Sequence, residues 1–131
     1  MTIYLYDDLG LQQNFKFPEK FLEVMYASAV PYPRPWSYIL EFPDYARFWF
    51  RQAQTQYVDR CIVPFAIRDD NDDVACFDGN DHSGDPKVHI VHFFASAGWE
   101  DRGSYDNFEA WQKMAKQESI EYQRSQADNE S

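Results

Sequence analysis

The residues best suited to chemistry lie in one aspartate-rich segment. Between positions 69 and 85 the chain carries seven Asp residues and neither Lys nor Arg. Carboxylates at this density could hold a cation, serve as an acid and base pair, or attract a basic protein. Aspartate is also common in solvated turns, because its short side chain tolerates tight backbone conformations. The segment is therefore a candidate site whose chemistry depends on its neighbours.

A calcium loop is the first candidate. Asp69, Asn71 and Asp73 match the first three ligand positions of an EF-hand. Val74 stands where that loop requires glycine, and Asn80 stands where it requires a bidentate glutamate. The sequence therefore disfavours calcium.

Three histidines, His82, His89 and His92, suggest zinc with Asp81 or Asp85 as a further ligand. His89 and His92 are three apart on a predicted strand, so their side chains should point to opposite faces. This favours a hydrogen-bonded core histidine at position 92, and we predict neither a metal nor a cofactor. A small metal-dependent hydrolase built around His82, Asp81 and Asp85 remains the alternative.

The two cysteines, Cys61 and Cys76, lie in apolar runs that flank one turn. If Arg68 faces Asp73 across that turn, Phe65 faces Cys76 and Cys61 lies about 13 Å away, beyond disulfide reach. Nothing around Cys76 indicates a lowered thiol pKa. We therefore predict two reduced, buried, unreactive thiols.

No sequence motif of a known catalytic class is present. The chain lacks G-x-S-x-G, a P-loop, the glycine fingerprint of dinucleotide-binding folds and H-E-x-x-H. We predict that the protein is not an enzyme.

The charge balance narrows the class of partner. Lys and Arg number 12 against 22 Asp and Glu, a net charge of −10. Such a chain repels phosphate backbones and anionic lipid, so we predict binding to a basic protein and to neither nucleic acid nor membrane. The amino terminus shows no secretion signal and no apolar run is long enough to span a bilayer, which with the unpaired cysteines predicts a cytoplasmic protein.

The residue periodicities predict one α+β domain. Helical spacing predicts a helix over Pro18–Ser28 and another from Pro43, whose buried stripe is Ala46, Trp49, Phe50, Ala53 and Tyr57. Tyr45 and Phe48 lie outside that stripe, so we expect this helix to be covered on more than one side. The 18% aromatic content predicts a well-packed core.

Strand-like alternation follows the second helix. It predicts strands over Cys61–Ile67, Val74–Phe77 and Val88–Phe94, joined by the turn Asp69–Asp72 and the loop Gly79–Asp85. Consecutive strands with short connections indicate a central, mostly antiparallel sheet flanked by helices.

The last predicted helix begins after a polar connection that contains Trp99. Ser104 is its expected N-cap, with Tyr105, Phe108, Trp111 and Ala115 on one face. Polar composition then predicts a single domain over 1–118 and a frayed or disordered acidic tail over 119–131.

The order of these segments resembles the SUKH superfamily. The resemblance spans Pro18 to Lys116 and is carried by the segments V63-P-F-A66, D72-D-V-A-C-F-D78, V88 to F94, S104-Y-D-N-F108 and the helix start F42-P-D-Y45. The chain lacks the Asn-Gly pair that such proteins often carry after the second helix, and its acidic turn lacks the usual glycine. The resemblance implies a sheet flanked by helices and a role in binding, since many members are bacterial immunity proteins that neutralise a toxin, often a nuclease, and others are fungal regulators.

We therefore expect an immunity-type protein that binds and neutralises a cognate basic toxin domain. The predicted contact residues are Asp70, Asp72, Asp73, Asp78, Asp81, Trp99, Glu100 and Asp101. They combine negative charge with an anchor-type aromatic side chain, although Trp99 packed into the core is the other interpretation. Two other functions remain as alternatives to the immunity-type protein: the small metal-dependent hydrolase, and a protein-interaction scaffold with no toxin partner.

Overall fold

The structure is a computed structural model that describes residues 3–9, 11, 14–27, 32–57, 59–93, 95 and 101–130. These residues form the helices α1 (Glu19–Met25), α2 (Pro43–Gln56) and α3 (Phe108–Glu130) and the strands β1 (Trp36–Tyr38), β2 (Ile62–Arg68), β3 (Asp73–Asp78), β4 (Val88–His92) and β5 (Asp101–Tyr105). No helix in this described part combines the length and apolarity that crossing a membrane requires.

The five strands form one antiparallel sheet in the order β1-β2-β3-β4-β5. Strand order therefore equals chain order, as expected for short connections between neighbouring strands. With the three helices, this confirms the predicted α+β class with a central antiparallel sheet flanked by helices.

The register between β2 and β3 follows the prediction only in part. Ala66 faces Ala75 as expected, but the register then shifts and Pro64, not Phe65, faces Cys76. This irregularity has the form of a β-bulge at Phe65, and it places the Phe65 ring parallel to that of Phe77 with centroids 4.1 Å apart. Both cysteines are free, and Cys76 is buried as predicted, but Cys61 is only partly buried, so the prediction of two buried thiols is wrong for Cys61.

Aromatic rings fill the space between α1, α3 and the sheet. The Phe21 ring of α1 lies 5.1 Å from Phe77 on β3 and 5.3 Å from Phe108 on α3. Trp111 lies 4.9 Å from Phe65, edge to face. All five side chains are fully buried, and each ring removes a large apolar area from water, so this cluster anchors both helices to the sheet.

The second helix packs on the other face of the sheet. Cys76 points away from the Phe77 face, since neighbours on a strand alternate, and Tyr6 on that side packs on Phe50 of α2 at 4.6 Å. The predicted stripe is buried at Ala46, Trp49, Phe50 and Ala53. Tyr45 and Phe48 are each 45% exposed, so the prediction that α2 is covered on more than one side is wrong.

The region before α3 differs most from the prediction. Ser104 is not a helix cap. It lies in β5, where it pairs with His89 of β4, and β5 is a polar and exposed strand without apolar alternation. The cap is Asn107, whose Oδ1 accepts a hydrogen bond from the Ala110 amide at 2.9 Å. Helix α3 then continues to Glu130, where a frayed tail was expected from position 119, and Ser119 itself is buried.

Candidate functional site

The predicted contact aspartates separate into two groups at opposite ends of β3. Asp70, Asp72 and Asp73 lie at the end where β3 begins, while Asp78 and Asp81 lie where it finishes. A strand of this length separates its ends by about 17 Å. The sequence segment is therefore two acidic clusters in space.

The first cluster lies where β2 finishes and where β3 and β5 begin. Its carboxylates, called the acidic end, are those of Asp69, Asp70, Asp72, Asp73, Asp101 and Glu118. Arginines neutralise part of it through the ion pairs Arg34 to Asp69 at 3.6 Å, Arg68 to Asp70 at 2.6 Å, Arg102 to Asp73 at 3.7 Å, and Arg68 to Glu118. Six carboxylates face three arginines there, so the acidic end keeps negative charge.

Asp73 is a structural member of the acidic end. Its residue exposure is only 7%, and its Oδ1 lies 2.9 Å from Nδ1 of His92, the residue directly opposite on β4. His92 is hydrogen-bonded as predicted, but its side chain is 32% exposed, so it is not a core residue. Asp72 and Asp101 are exposed, and neither forms an ion pair with another described residue.

The second cluster organises its own loop. Asp78 accepts a hydrogen bond from the Asn80 amide at 2.9 Å and lies 3.2 Å from Nε2 of His89. Asp81 accepts from the amides of Ser83 at 3.1 Å and Lys87 at 3.2 Å. Hydrogen bonding from Ser83 is the main cause that lowers the pKa of Asp81. These carboxylates hold the connection between β3 and β4.

The hydrolase alternative requires His82, Asp81 and Asp85 to converge. His82 is exposed, Asp81 turns toward backbone amides of its own loop, and Asp85 accepts a hydrogen bond from Asn107 at 3.1 Å. Within the described ranges, no three His, Cys, Asp or Glu side chains form a group that could hold a metal ion. The three residues therefore do not assemble a metal-ligand set.

The thiols are poorly suited to nucleophilic chemistry. Cys61 lines a polar pocket of about 140 Å³ with Asp78 and His89. Partial burial, and then the charge of Asp78, raise the pKa of Cys61, and full burial raises the pKa of Cys76. A catalytic cysteine needs the opposite shift. The Cys61 sulfur instead packs on the backbone of Gly79, where an added Cβ would clash with Sγ.

An exposed row of aromatic side chains lies along the start of α2. Phe42 is 53% exposed, and Tyr45 and Phe48 follow at intervals of three residues, close to one turn of helix. We call these three residues the aromatic row. The sequence did not predict this exposed row, although Tyr45 and Phe48 lie outside the buried stripe of α2.

Buried and charged neighbours hold the aromatic row in place. Trp49, which is 5% exposed, lies edge to face with Phe48 at 5.1 Å and with Tyr45 at 6.3 Å. Arg47 is 3.1 Å from both Asp8 and Asp44, so its charge is matched twice. Trp49 therefore supports two of the three rings, and the carboxylates of Asp8 and Asp44 lie near the start of the same helix.

Two predicted contact residues, Trp99 and Glu100, lie outside the described residues.

Comparison of the chain with protein-family models, curated proteins and solved structures gives no match. The SUKH resemblance therefore stays a prediction.

Proposed function

We propose that the protein is a non-catalytic, immunity-type inhibitor that binds a basic toxin domain through the aromatic row. The observation that carries the proposal is the row itself: Phe42, directly before α2, and Tyr45 and Phe48, in α2, are each about half exposed. Soluble proteins that act alone bury most of their large aromatic side chains, and contiguous exposed apolar patches mark interaction sites.

Aromatic anchors of this kind supply binding energy at low entropic cost. A Phe or Tyr has only two side-chain torsions, and contact with Trp49 already restricts Tyr45 and Phe48. A partner surface that covers them gains apolar burial at about 25 cal/mol per Å² without ordering a flexible chain. Interface hot spots have this composition.

Negative charge selects the class of partner. The net charge of −10 and the exposed carboxylates Asp72 and Asp101 at the acidic end would accelerate encounter with a cationic surface. A nuclease presents such a surface to its phosphate substrate, so an acidic inhibitor competes for it directly. Neither faster encounter with the toxin nor competition for its cationic surface requires the inhibitor to make or break a covalent bond.

Growth rescue tests the proposal. Where a toxin domain is encoded beside its gene, the full chain is co-expressed with that domain, and the wild-type protein should restore growth. The double variant Tyr45→Ala with Phe48→Ala should lose rescue, with affinity reduced by at least about 100-fold, because hot-spot aromatics each contribute about 2 kcal/mol or more. Because both side chains are about half exposed, the double variant should still fold, so unfolding should not explain the loss of rescue. Circular dichroism checks that the variant is folded.

Tyr26→Ala is the matched control, since Tyr26 is 57% exposed and lies outside the row. It should rescue growth as well as the wild type does. Failure of the wild-type protein to rescue, or full rescue by the double variant, would overturn the proposal.

A further inference from the structure

A second surface, on the opposite side of the sheet from α2, has a different chemistry. A groove of about 330 Å³ lies between β1 with its preceding segment and helix α3. Its walls include Tyr32, Pro33, Tyr38 and Ile120. A volume of this size is at the lower end of the range for small-molecule sites.

Two tyrosine rings in contact form part of the apolar wall of the groove. The Tyr32 and Tyr38 rings meet edge to face at 5.9 Å with an interplanar angle of 82°. Tyr32 is held by its hydroxyl, which donates a hydrogen bond to Glu41 at 2.7 Å. Tyr38 is 2% exposed, whereas Ile120 at the rim is 47% exposed. A flat aromatic guest would cover Ile120 and pack against the partly exposed Tyr32 ring, with the buried Tyr38 at the base of the groove.

Polar groups are few and lie at defined places. The Tyr38 hydroxyl lies beside Gln112 on α3, and burial raises the pKa of Tyr38 above its ordinary value. Ser119 lines the same groove and is 7% exposed. A mostly apolar pocket with a small number of hydrogen-bonding groups is the usual composition of a site for an organic ligand.

Positive charge gathers at one end of the groove, although the chain as a whole is acidic. Lys116 lines the groove and also an adjoining depression that contains Lys20 and Lys113. Among the described residues, Lys113 and Lys116 form no ion pair, and the contact of Lys20 with Glu23 at 3.8 Å is exposed. Glu109 also lines the depression, so three lysines against the carboxylates of Glu109 and Glu23 leave one excess positive charge there. Lys116, which lines the groove itself, is the group placed to face an anion, which a net charge of −10 does not predict.

We propose that this groove binds a small organic anion, a carboxylate on an apolar body of one or two aromatic rings. The rings would lie against Tyr32, Tyr38 and Ile120, and the carboxylate would face Lys116. This site is separate from the aromatic row, which is on the other face of the sheet, and the proposal does not depend on the proposed function.

Titration of the full chain with 2-naphthoate tests the site. Binding measured by calorimetry should be one to one, and backbone amide resonances at Ser119 and Ile120 should shift in NMR spectra. Lys116→Gln should weaken binding about fivefold, the effect of losing one partly exposed ion pair. The uncharged analogue 2-naphthamide should bind to the wild type about as weakly as 2-naphthoate binds to Lys116→Gln. The affinity for 2-naphthamide should not change in Lys116→Gln.

Lys87→Gln is the matched control, because Lys87 is exposed and lies in the loop between β3 and β4. It makes the same change of charge away from the groove and should leave binding unchanged. No saturable binding, equal binding of acid and amide, or equal losses in the two variants would overturn the proposal. A dimer in sedimentation experiments that covers the groove and excludes 2-naphthoate would assign the groove to a second copy of the chain and would also overturn the proposal.

Discussion

Asp72 and Asp73 are adjacent in the chain and have different surroundings. Asp72 is exposed, whereas Asp73 is buried between His92 and Arg102. Burying a carboxylate is costly unless charged or hydrogen-bonding partners replace its water. Asp73 is therefore committed to joining β3, β4 and β5, and Asp72 remains available to solvent or to a partner.

Matched substitutions should separate these two roles. Asp73→Asn should lower the free energy of unfolding by about 1–3 kcal/mol, since it weakens charge-assisted hydrogen bonds to a buried group. Asp72→Asn makes the same change of charge at an exposed position and should stay within about 0.5 kcal/mol of the wild type. Urea unfolding measures both values. Equal effects would show that Asp73 is not a structural residue.

At the scale of elements, the start of α3 depends on one side chain. The side chain of Asn107 accepts a hydrogen bond from the Ala110 amide, which satisfies one of the free N–H donors in the first turn. The same side chain donates a hydrogen bond to Asp85 on the neighbouring loop. The cap therefore links the helix that lines the groove to the connection between β3 and β4.

Three variants should distinguish the cap from the loop contact. Asn107→Ala should cost about 1 kcal/mol of stability, because the cap is lost, whereas Asn107→Ser keeps a capping oxygen and should cost only a few tenths. Ser104→Ala, in β5, should stay within about 0.5 kcal/mol of the wild type. Thermal unfolding gives the ranking. If Asn107→Ser were as damaging as Asn107→Ala, the Asp85 contact, not the cap, would hold this helix start.

Some elements were predictable because their burial leaves a period in the sequence. The stripe of α2 and the apolar strands β2 to β4 have that property, and they established the fold class. Strand β5 has none, since it is polar and exposed, and only pairing with β4 defines it. The bulge at Phe65 accompanies the packing of its ring on Phe77, a contact between strands that no local period reveals.

The candidate sites were less predictable than the fold. The sequence showed a dense acidic segment, and the predicted strand between its halves already indicated two patches, which the structure places at the two ends of β3. It could not show that arginines from distant segments, such as Arg34, neutralise part of that charge. Exposure of Tyr45 and Phe48 depends on what covers α2 in three dimensions, so no local pattern could decide it.

For the molecule as a whole, several ionisable groups are kept protonated by the core. Full burial raises the pKa values of Cys76 and Tyr6 above their ordinary values of 9.0 and 10.0. Tyr6 also donates a hydrogen bond to the Pro64 carbonyl at 2.6 Å. In the unfolded chain both groups would titrate normally.

Stability should therefore fall in alkali. Above pH 9 the unfolded state releases the Cys76 proton and above pH 10 the Tyr6 proton, while the folded state retains both, so the unfolded state binds fewer protons. Each group should remove about 1.4 kcal/mol per pH unit. Urea unfolding between pH 8 and pH 11 measures this slope.

Tyr6→Phe should lower stability at pH 7 but flatten the alkaline slope above pH 10, because the titrating hydroxyl is gone. Tyr26→Phe, at an exposed position, should leave the slope unchanged. A constant stability across this range would show that burial does not hold these protons.

The sequential strand order has a consequence for how the chain reaches its native state. The hairpins β2-β3 and β3-β4 close short loops and cost little chain entropy, whereas β1 meets β2 only after α2 intervenes. The middle of the sheet should therefore nucleate folding, with β1 added later. Tyr38 belongs to β1, so the groove exists only once that last edge has docked.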